Sequence, residues 1–244
     1  MLGKEKVSLG HVRLSSVKLM HSLKVCDNMK LGFPNFNFNV SHHGDYVAIA
    51  SEPICLVGLD IVSHSIPVNE TADKFIYSFS SYFSSLEWHH IFNAGSSDDM
   101  LKVFFRYWSL KEAFVKALGT GVGYKLDDVE FHHKNWENIF VKVAGEVLKD
   151  WKFWLLELGQ NHSVSIARGH PGTAITNFTK TLKQTEFDDK EYDLGLHLPN
   201  TSFKFVRVED LVQLWHSSQS ISIVSRKPHV SDDDEMSETI SSIH

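Results

Sequence analysis

Two acidic residues in dissimilar settings suggest a seat for a hard cation. Asp60 closes the apolar run Val57-Gly58-Leu59-Asp60-Ile61, and Glu112 lies inside Trp108-Ser109-Leu110-Lys111-Glu112-Ala113-Phe114-Val115-Lys116-Ala117. The first run reads as a strand end and the second as a helix. Carboxylates that meet across a cleft repel each other unless a cation sits between them. Magnesium suits such a pair, because it takes a few carboxylates and completes its shell with phosphate oxygens and water. Lys116 stands four residues after Glu112 on a neighbouring helical face, where it would neutralise phosphate charge or steady a leaving group. This is equipment for handling a phosphate ester. Taken singly, Asp60 also reads as a turn or cap, and Glu112 as a surface acid paired with Lys116.

Other polar clusters are less pointed. Ser41-His42-His43 follows a strand pattern, where a histidine contacts phosphate, acts as a base or simply occupies a turn. The pairs His89-His90 and His132-His133 have no partner cysteines and no zinc-ligand spacing, so they read as surface or edge residues. Gly119, Gly121 and Gly123 lack the following Gly-Lys-Ser or Gly-Lys-Thr of a nucleoside triphosphatase loop.

The elements that must position these residues follow from periodicity and punctuation. Residues 36–50 read as strand, tight turn at Gly44-Asp45 and strand. Residues 54–61 form a short apolar strand, and 71–82 a helical segment. Ser84 and Glu87 make a capping box for a helix running to about Phe92. Gly95 to Asp99 caps the next helix, over roughly 99–118, with Tyr107, Leu110, Phe114, Ala117 and Leu118 facing the core. The alternate glycines then end that helix with positive φ or close backbone approach. Strands are expected at 127–133, 138–144, 151–158 and 162–167, the third covered on both faces. Asn39-Val40-Ser41 and Asn161-His162-Ser163 form a faint internal echo. Phe203–Trp215 should add a strand and a short helix.

Composition narrows the function class. The 244 residues suffice for one large domain or two small ones, and 42% apolar residues with 17 phenylalanines argue for a folded body. Much of the net charge of −6 comes from Asp232, Asp233, Asp234, Glu235 and Glu238, so the body is near neutral and unlike a nucleic-acid-binding domain. Cys26 and Cys55 read as reduced thiols of a cytosolic protein. No stretch has the length of a membrane span, and residues 11–24 are only a weak match to an organellar presequence.

Three pieces, taken in order, resemble a known family. They are Phe38-Asn39-Val40-Ser41-His42-His43-Gly44-Asp45-Tyr46, the Val57–Ile61 run, and Phe105-Arg106-Tyr107 leading into the Trp108–Ala117 motif. The set resembles the 4'-phosphopantetheinyl transferases, of the large eukaryotic type related to the enzyme that activates aminoadipate-semialdehyde dehydrogenase. The likeness covers about residues 35–170, and the helical motif is its most specific part. It implies an α+β fold, a pseudo-twofold pair of α/β halves with the active site between them. It also implies transfer of the phosphopantetheine arm of coenzyme A to a serine of an apo acyl or peptidyl carrier protein, releasing adenosine 3',5'-bisphosphate.

By that resemblance Asp60 and Glu112 hold Mg2+, and Lys116 contacts the pyrophosphate and assists proton movement. Ser41 and His42 lie against coenzyme A, and Glu112 is a candidate general base. Where bacterial members often carry another acid stands Val62, so a water or substrate oxygen would fill that metal position. The family has roughly a hundred residues before the serine-histidine motif, including basic residues that grip coenzyme A, whereas 40 precede it here. Asn28-Met29-Lys30-Leu31 occupies the place of a glycine-lysine/arginine-proline segment. The first half is therefore expected to be incomplete, with apolar sheet surface exposed.

The expected organisation is a divergent segment at 1–34, a transferase domain at 35–170, an extension at 171–225 and an acidic disordered tail at 226–244. A cytosolic monomer is expected, engaging neither membrane nor nucleic acid. The rival readings are an inactive shortened paralogue that still binds a carrier protein, and a structural module whose carboxylates never meet.

Overall fold

The computed structural model describes residues 10–13, 36–182, 188–198, 204–207, 209, 210, 212 and 213. The chain divides into two compact units, Met1–Arg207 and Val208–His244, and the described residues of the second are helical. The expectations for Cys26, residues 28–31 and the acidic tail lie outside the described residues.

The first unit is α+β, as expected, and its described residues form three small sheets. Strand β2 (Asn37–His43) turns at Gly44, where φ is +57°, into the antiparallel β3 (Tyr46–Glu52). β1 (Gly10–Arg13) pairs parallel with β3 and antiparallel with β10 (Lys204–Arg207), giving the order β10-β1-β3-β2. The second sheet has β9 (His162–Gly169) between β4 (Leu56–Ser63) and β8 (Trp151–Leu158), all antiparallel. The third is the meander β5 (Val129–Lys134), β6 (Glu137–Val143) and β7 (Glu146–Val147).

The helices are α1 (Ala72–Tyr77), α2 (Ser85–Phe92), α3 (Ser97–Leu118), the single turn α4 (Thr176–Thr179) and α5 (Asp189–His197). Both α2 and α3 begin with complete capping boxes, Ser84 with Glu87 and Ser96 with Asp99. Each box satisfies two backbone donors that a helix start would otherwise leave open. α3 stops at Gly119, which takes the left-handed conformation with φ +74°. Tyr107, Leu110, Phe114, Ala117 and Leu118 are all buried, as their spacing predicts. They pack with Phe131, Trp151 and Phe153 in the larger core. A smaller core of Val57, Leu59, Ile61, Val164 and Ile166 lies between β4–β9 and Ala48 and Ala50 of β3. β8 is covered on both faces, by the larger core at Trp151 and Phe153 and by the smaller at Trp154 and Leu156.

A buried ion pair fixes α3 against its neighbours. Lys111 and Glu87, both fully buried, meet at 2.8 Å. Lys111 Nζ also donates to the carbonyls of Leu126 (2.8 Å) and Val129. Glu87 accepts from the Phe131 amide at 2.9 Å and closes the α2 capping box. One interaction thus ties α2, α3 and the start of β5. Removing one partner leaves a charge buried alone, which typically costs about 3–5 kcal/mol.

The histidine pairs are not all surface residues. Asn135 and Trp136, both at positive φ, form the two-residue turn between β5 and β6. Tryptophan is an unusual occupant of such a turn. It is held by stacking on His133 at 4.0 Å and by Arg106 at 5.0 Å over its ring. The Trp136 amide donates to His133 Nδ1, so the proton of neutral His133 is on Nε2 and is donated to Tyr107 Oη at 3.0 Å. Tyr107 in turn donates to His90 Nδ1 at 2.6 Å. His89 and His132 remain outside this chain. The two echoed segments both lie in antiparallel hairpins: Asn39-Val40-Ser41 within β2, which pairs with β3, and Asn161-His162-Ser163 at the start of β9, which pairs with β8.

Two measurements test these anchors. Lys111→Met should lower the urea unfolding free energy by about 3–5 kcal/mol, and Glu87→Gln placed beside it should restore part of the loss. Burial depresses the His133 pKa to about 4 from an ordinary 6.5. Its contribution to stability is therefore full above pH 6.5 and is lost as pH falls toward 4, because the unfolded chain takes up the proton first. His133→Gln, which keeps a donor but does not titrate, should flatten the fall in urea midpoint across that window.

Candidate functional site

Strand β2 is joined to β4 by its inward side chains. Its alternate residues each serve a backbone group of β4 or of Cys55 just before it. Asn37 Nδ2 donates to the Cys55 carbonyl at 2.6 Å, Asn39 Oδ1 accepts from the Leu59 amide at 3.2 Å, and Ser41 Oγ accepts from the Ile61 amide at 3.2 Å. The period of two places all three on one face. This seam brings Ser41 beside Asp60.

Helix α3 approaches β4 equally closely. A methyl at Gly58 would come within 1.8 Å of the Ala113 carbonyl oxygen and 2.7 Å of the Ala117 nitrogen. Only the absence of a side chain lets the helix backbone lie there. Lys116 Nζ consequently reaches Asp60 Oδ1 at 2.6 Å, Ser41 Oγ at 3.2 Å and the Leu59 carbonyl at 3.3 Å. Ser41 Oγ donates to Asp60 Oδ1 at 3.1 Å, so the hydroxyl gives one hydrogen bond and takes two.

Ser41, His42, Asp60, Glu112 and Lys116, the expected site residues, line one cavity of about 600 Å³. Asp60 is buried, Glu112 and Lys116 are half-buried, and His42 is exposed at the rim. Phe75, Phe79, Phe104, Phe105 and Trp108 form an aromatic wall on the α1–α3 side. Lys116 pairs with Asp60, not with Glu112 as a lone helix pair would.

Charge in this cavity is unbalanced. Burial raises the Asp60 pKa, and Lys116 and Ser41 offset that only in part. Glu112 is raised first by burial and then by the nearby Asp60 charge, with Lys116 opposing. Both acids are thus poorly stabilised as anions, which is the condition a shared divalent cation relieves. The Lys116 ammonium, held among three oxygens, already stands in for such a charge. Two carboxylates lining the polar side of one cavity fit a hard ion, with Val62, two residues along the strand from Asp60 and buried, supplying no ligand. No cluster of three or more histidine, cysteine or acidic side chains suited to a metal occurs among the described residues.

Some residues of this arrangement were not foreseen. Asn37 and Asn39 escape a reading based on apolar alternation, although their period of two with Ser41 is visible. Phe75, Phe79, Phe104 and Phe105 carry no sequence signal that sets them apart from core aromatics. Glu52 and Arg168 form a second buried pair at 2.6 Å, and Arg168 also donates to the Leu198 carbonyl, tying β3 and β9 to the end of α5. Cys55 packs against Tyr192 and Leu196 of α5, its thiol pushed up to about 12 chiefly by burial.

Comparison with known proteins gives the family. Residues 56–167 match the 4'-phosphopantetheinyl transferase superfamily, and residues 14–54 match the family described as 4'-phosphopantetheinyl transferase, N-terminal. These stretches together exceed half of the chain, which belongs to that superfamily and has its α+β fold. The likeness therefore starts earlier than the expected residue 35.

The L-aminoadipate-semialdehyde dehydrogenase-phosphopantetheinyl transferase of Rattus norvegicus is 32% identical over 169 residues, 66% of this chain and 54% of the relative. That of Homo sapiens is 34% identical over 147 residues, 57% and 48% of the two. The chain spans about half the length of the curated relatives it matches. A holo-(acyl-carrier-protein) synthase from Bacillus anthracis, solved with CoA, aligns at 16% identity and a TM-score of 0.37, over 48% of this chain and 96% of that one. No helix among the described residues is long and apolar enough to cross a membrane.

Gly58→Ala should displace α3 from β4. The clash is with backbone, so we expect a loss of about 3 kcal/mol or more in urea unfolding, at the upper end for overpacking. Gly123→Ala, which meets nothing within 4 Å and needs no positive φ, should be neutral within about 0.5 kcal/mol.

Proposed function

We propose that the protein catalyses Mg2+-dependent transfer of the 4'-phosphopantetheine arm of coenzyme A to a serine of an apo acyl or peptidyl carrier protein. The observation that carries this reading is the convergence of Asp60, Glu112, Lys116, Ser41 and His42 on one cavity. Family membership supports the reaction class. The catalytic domain is assigned to residues 35–170, with 171–225 as an extension. An aminoadipate-pathway carrier is one candidate acceptor.

In this reading the carrier serine oxygen forms a bond to the phosphorus bearing the pantetheine arm. The bond from that phosphorus to the bridging oxygen breaks, and its electron pair leaves with adenosine 3',5'-bisphosphate. Glu112 takes the serine proton. Its raised pKa makes it a better base than an ordinary carboxylate. Lys116 donates to the pyrophosphate oxygens and balances the charge that gathers on the leaving group. His42 and Ser41 hold the nucleotide side of coenzyme A at the rim. The aromatic wall keeps water from the reacting phosphorus. A divalent ion held by Asp60 and Glu112 would act as a Lewis acid toward the pyrophosphate.

The test is transfer of a labelled pantetheine arm from coenzyme A to an apo carrier protein with Mg2+ present. Asp60→Asn and Glu112→Gln should each lower the rate by at least about 100-fold, the scale of a lost general base. Their circular dichroism should be unchanged. A variant with full activity would remove that residue from the mechanism. Because the chain spans half the length of its relatives, a second outcome has its own meaning. No transfer from the wild type, with carrier binding retained, would assign it as a carrier-binding, inactive member of the family.

A further inference from the structure

Lys116 has three donors and all three are engaged, by Asp60 Oδ1, Ser41 Oγ and the Leu59 carbonyl. As it stands, the ammonium has nothing left to offer a phosphate. It also occupies Asp60 Oδ1, one of the two carboxylate oxygens a metal could use. A magnesium–oxygen bond is about 2.1 Å long, and Lys116 Nζ lies 2.6 Å from Asp60 Oδ1. A divalent ion on that same oxygen would sit only a few ångströms from the ammonium. Glu112 meanwhile makes no ion pair among the described residues and lines the same cavity. The cation-poor site is thus divided: one acid is locked to a lysine and the other is left waiting.

We propose that Lys116 is a placeholder cation. It neutralises Asp60 while no metal is bound, is displaced from that oxygen when a divalent ion arrives, and then presents its freed donors to the substrate's pyrophosphate. The inference rests on the metal-site reading above and adds to it an order of assembly. Metal entry frees the anion-binding lysine, so metal and phosphate occupancy reinforce each other through one side chain. By linkage the coupling is reciprocal. The path for the swing exists. The Lys116 side chain is 31% exposed against 10% for Asp60, and both line the same cavity. The helix need not move, because Gly58 and the core contacts of Phe114 and Ala117 hold it.

The test uses the full chain without coenzyme A or carrier protein. Mn2+ binding is followed by electron paramagnetic resonance in the wild type and in Lys116→Met. Lysine acetylation is mapped by mass spectrometry with and without Mg2+, with exposed Lys149 as the internal reference. The placeholder predicts at least tenfold tighter Mn2+ binding by the variant. In the wild type it predicts a several-fold rise in Lys116 acetylation on adding Mg2+, with Lys149 unchanged. A mere removal of nearby charge would tighten Mn2+ binding but leave Lys116 acetylation flat or lower, and that result overturns the inference. Equal Mn2+ affinity in the two proteins also overturns it and spares the metal site. No Mn2+ binding by either protein overturns the metal-site reading and the inference together.

Discussion

The distance between α3 and β4 is the constraint on which the site depends. It is set by what is missing at residue 58. With no side chain there, the helix backbone at Ala113 and Ala117 seats directly on the strand, and a lysine of ordinary length can reach an acid in mid-strand. The gap is closed by shape and not by charge. Surface ion pairs contribute little, and a pair as enclosed as Lys116 with Asp60 carries a desolvation cost. The raised Asp60 pKa shows that the cost is not fully met. Packing of Leu110, Phe114 and Ala117, all essentially buried, supplies the free energy that holds these charges together.

Adjacent residues of α3 serve opposite purposes. Successive side chains on a helix diverge by about 100°, so Lys111 enters the core while Glu112 faces the cavity. The buried Lys111–Glu87 pair adds little net stability by itself. Its effect is on registry. Sliding α3 along its axis would strand two charges among Phe83, Phe131 and Leu110, so one axial position is strongly preferred. That same position sets Glu112 and Lys116 opposite Asp60. The motif Lys111-Glu112 therefore combines an alignment device with a chemical one, and the Lys111 half was invisible to a reading that looked for surface charge.

What the sequence made legible was local. Both capping boxes, the Gly44 turn, the helix-ending Gly119 and the buried face of α3 follow from patterns within a few residues, and all are present. What it hid depends on partners far along the chain. Nothing near Lys204–Arg207 announces that it pairs with Gly10–Arg13, nearly two hundred residues away. His133 gives no local sign that the turn it precedes will fold Trp136 back onto its ring and fix its tautomer. Asn37 and Asn39 look like polar punctuation until β4 is laid beside them, when they become the hydrogen-bonding edge of a seam. In each case the informative neighbour is set by topology, and periodicity carries no signal about it.

The cavity is chemically two-sided, and that division follows from which elements build it. Its floor comes from strand backbones and their inward residues, Ser41 and Asp60, where Ser41 Oγ and Asp60 Oδ1 engage each other and both accept from Lys116. Its wall comes from α1 and α3, whose aromatics Phe75, Phe104, Phe105 and Trp108 present rings and no hydrogen-bonding oxygens. A phosphate drawn to the floor would sit against a surface that offers water few partners, which strengthens each charge interaction made there. Among the described residues, Phe38, Val40 and Ile49 stand exposed on the opposite face of β2 and β3. The sheet that supplies Ser41 thus turns polar, hydrogen-bonded side chains toward β4 and apolar ones to its other face. The geometry of the floor does not depend on that outer face, because Ser41 is fixed by Asp60, Ile61 and Lys116, all on the inner side.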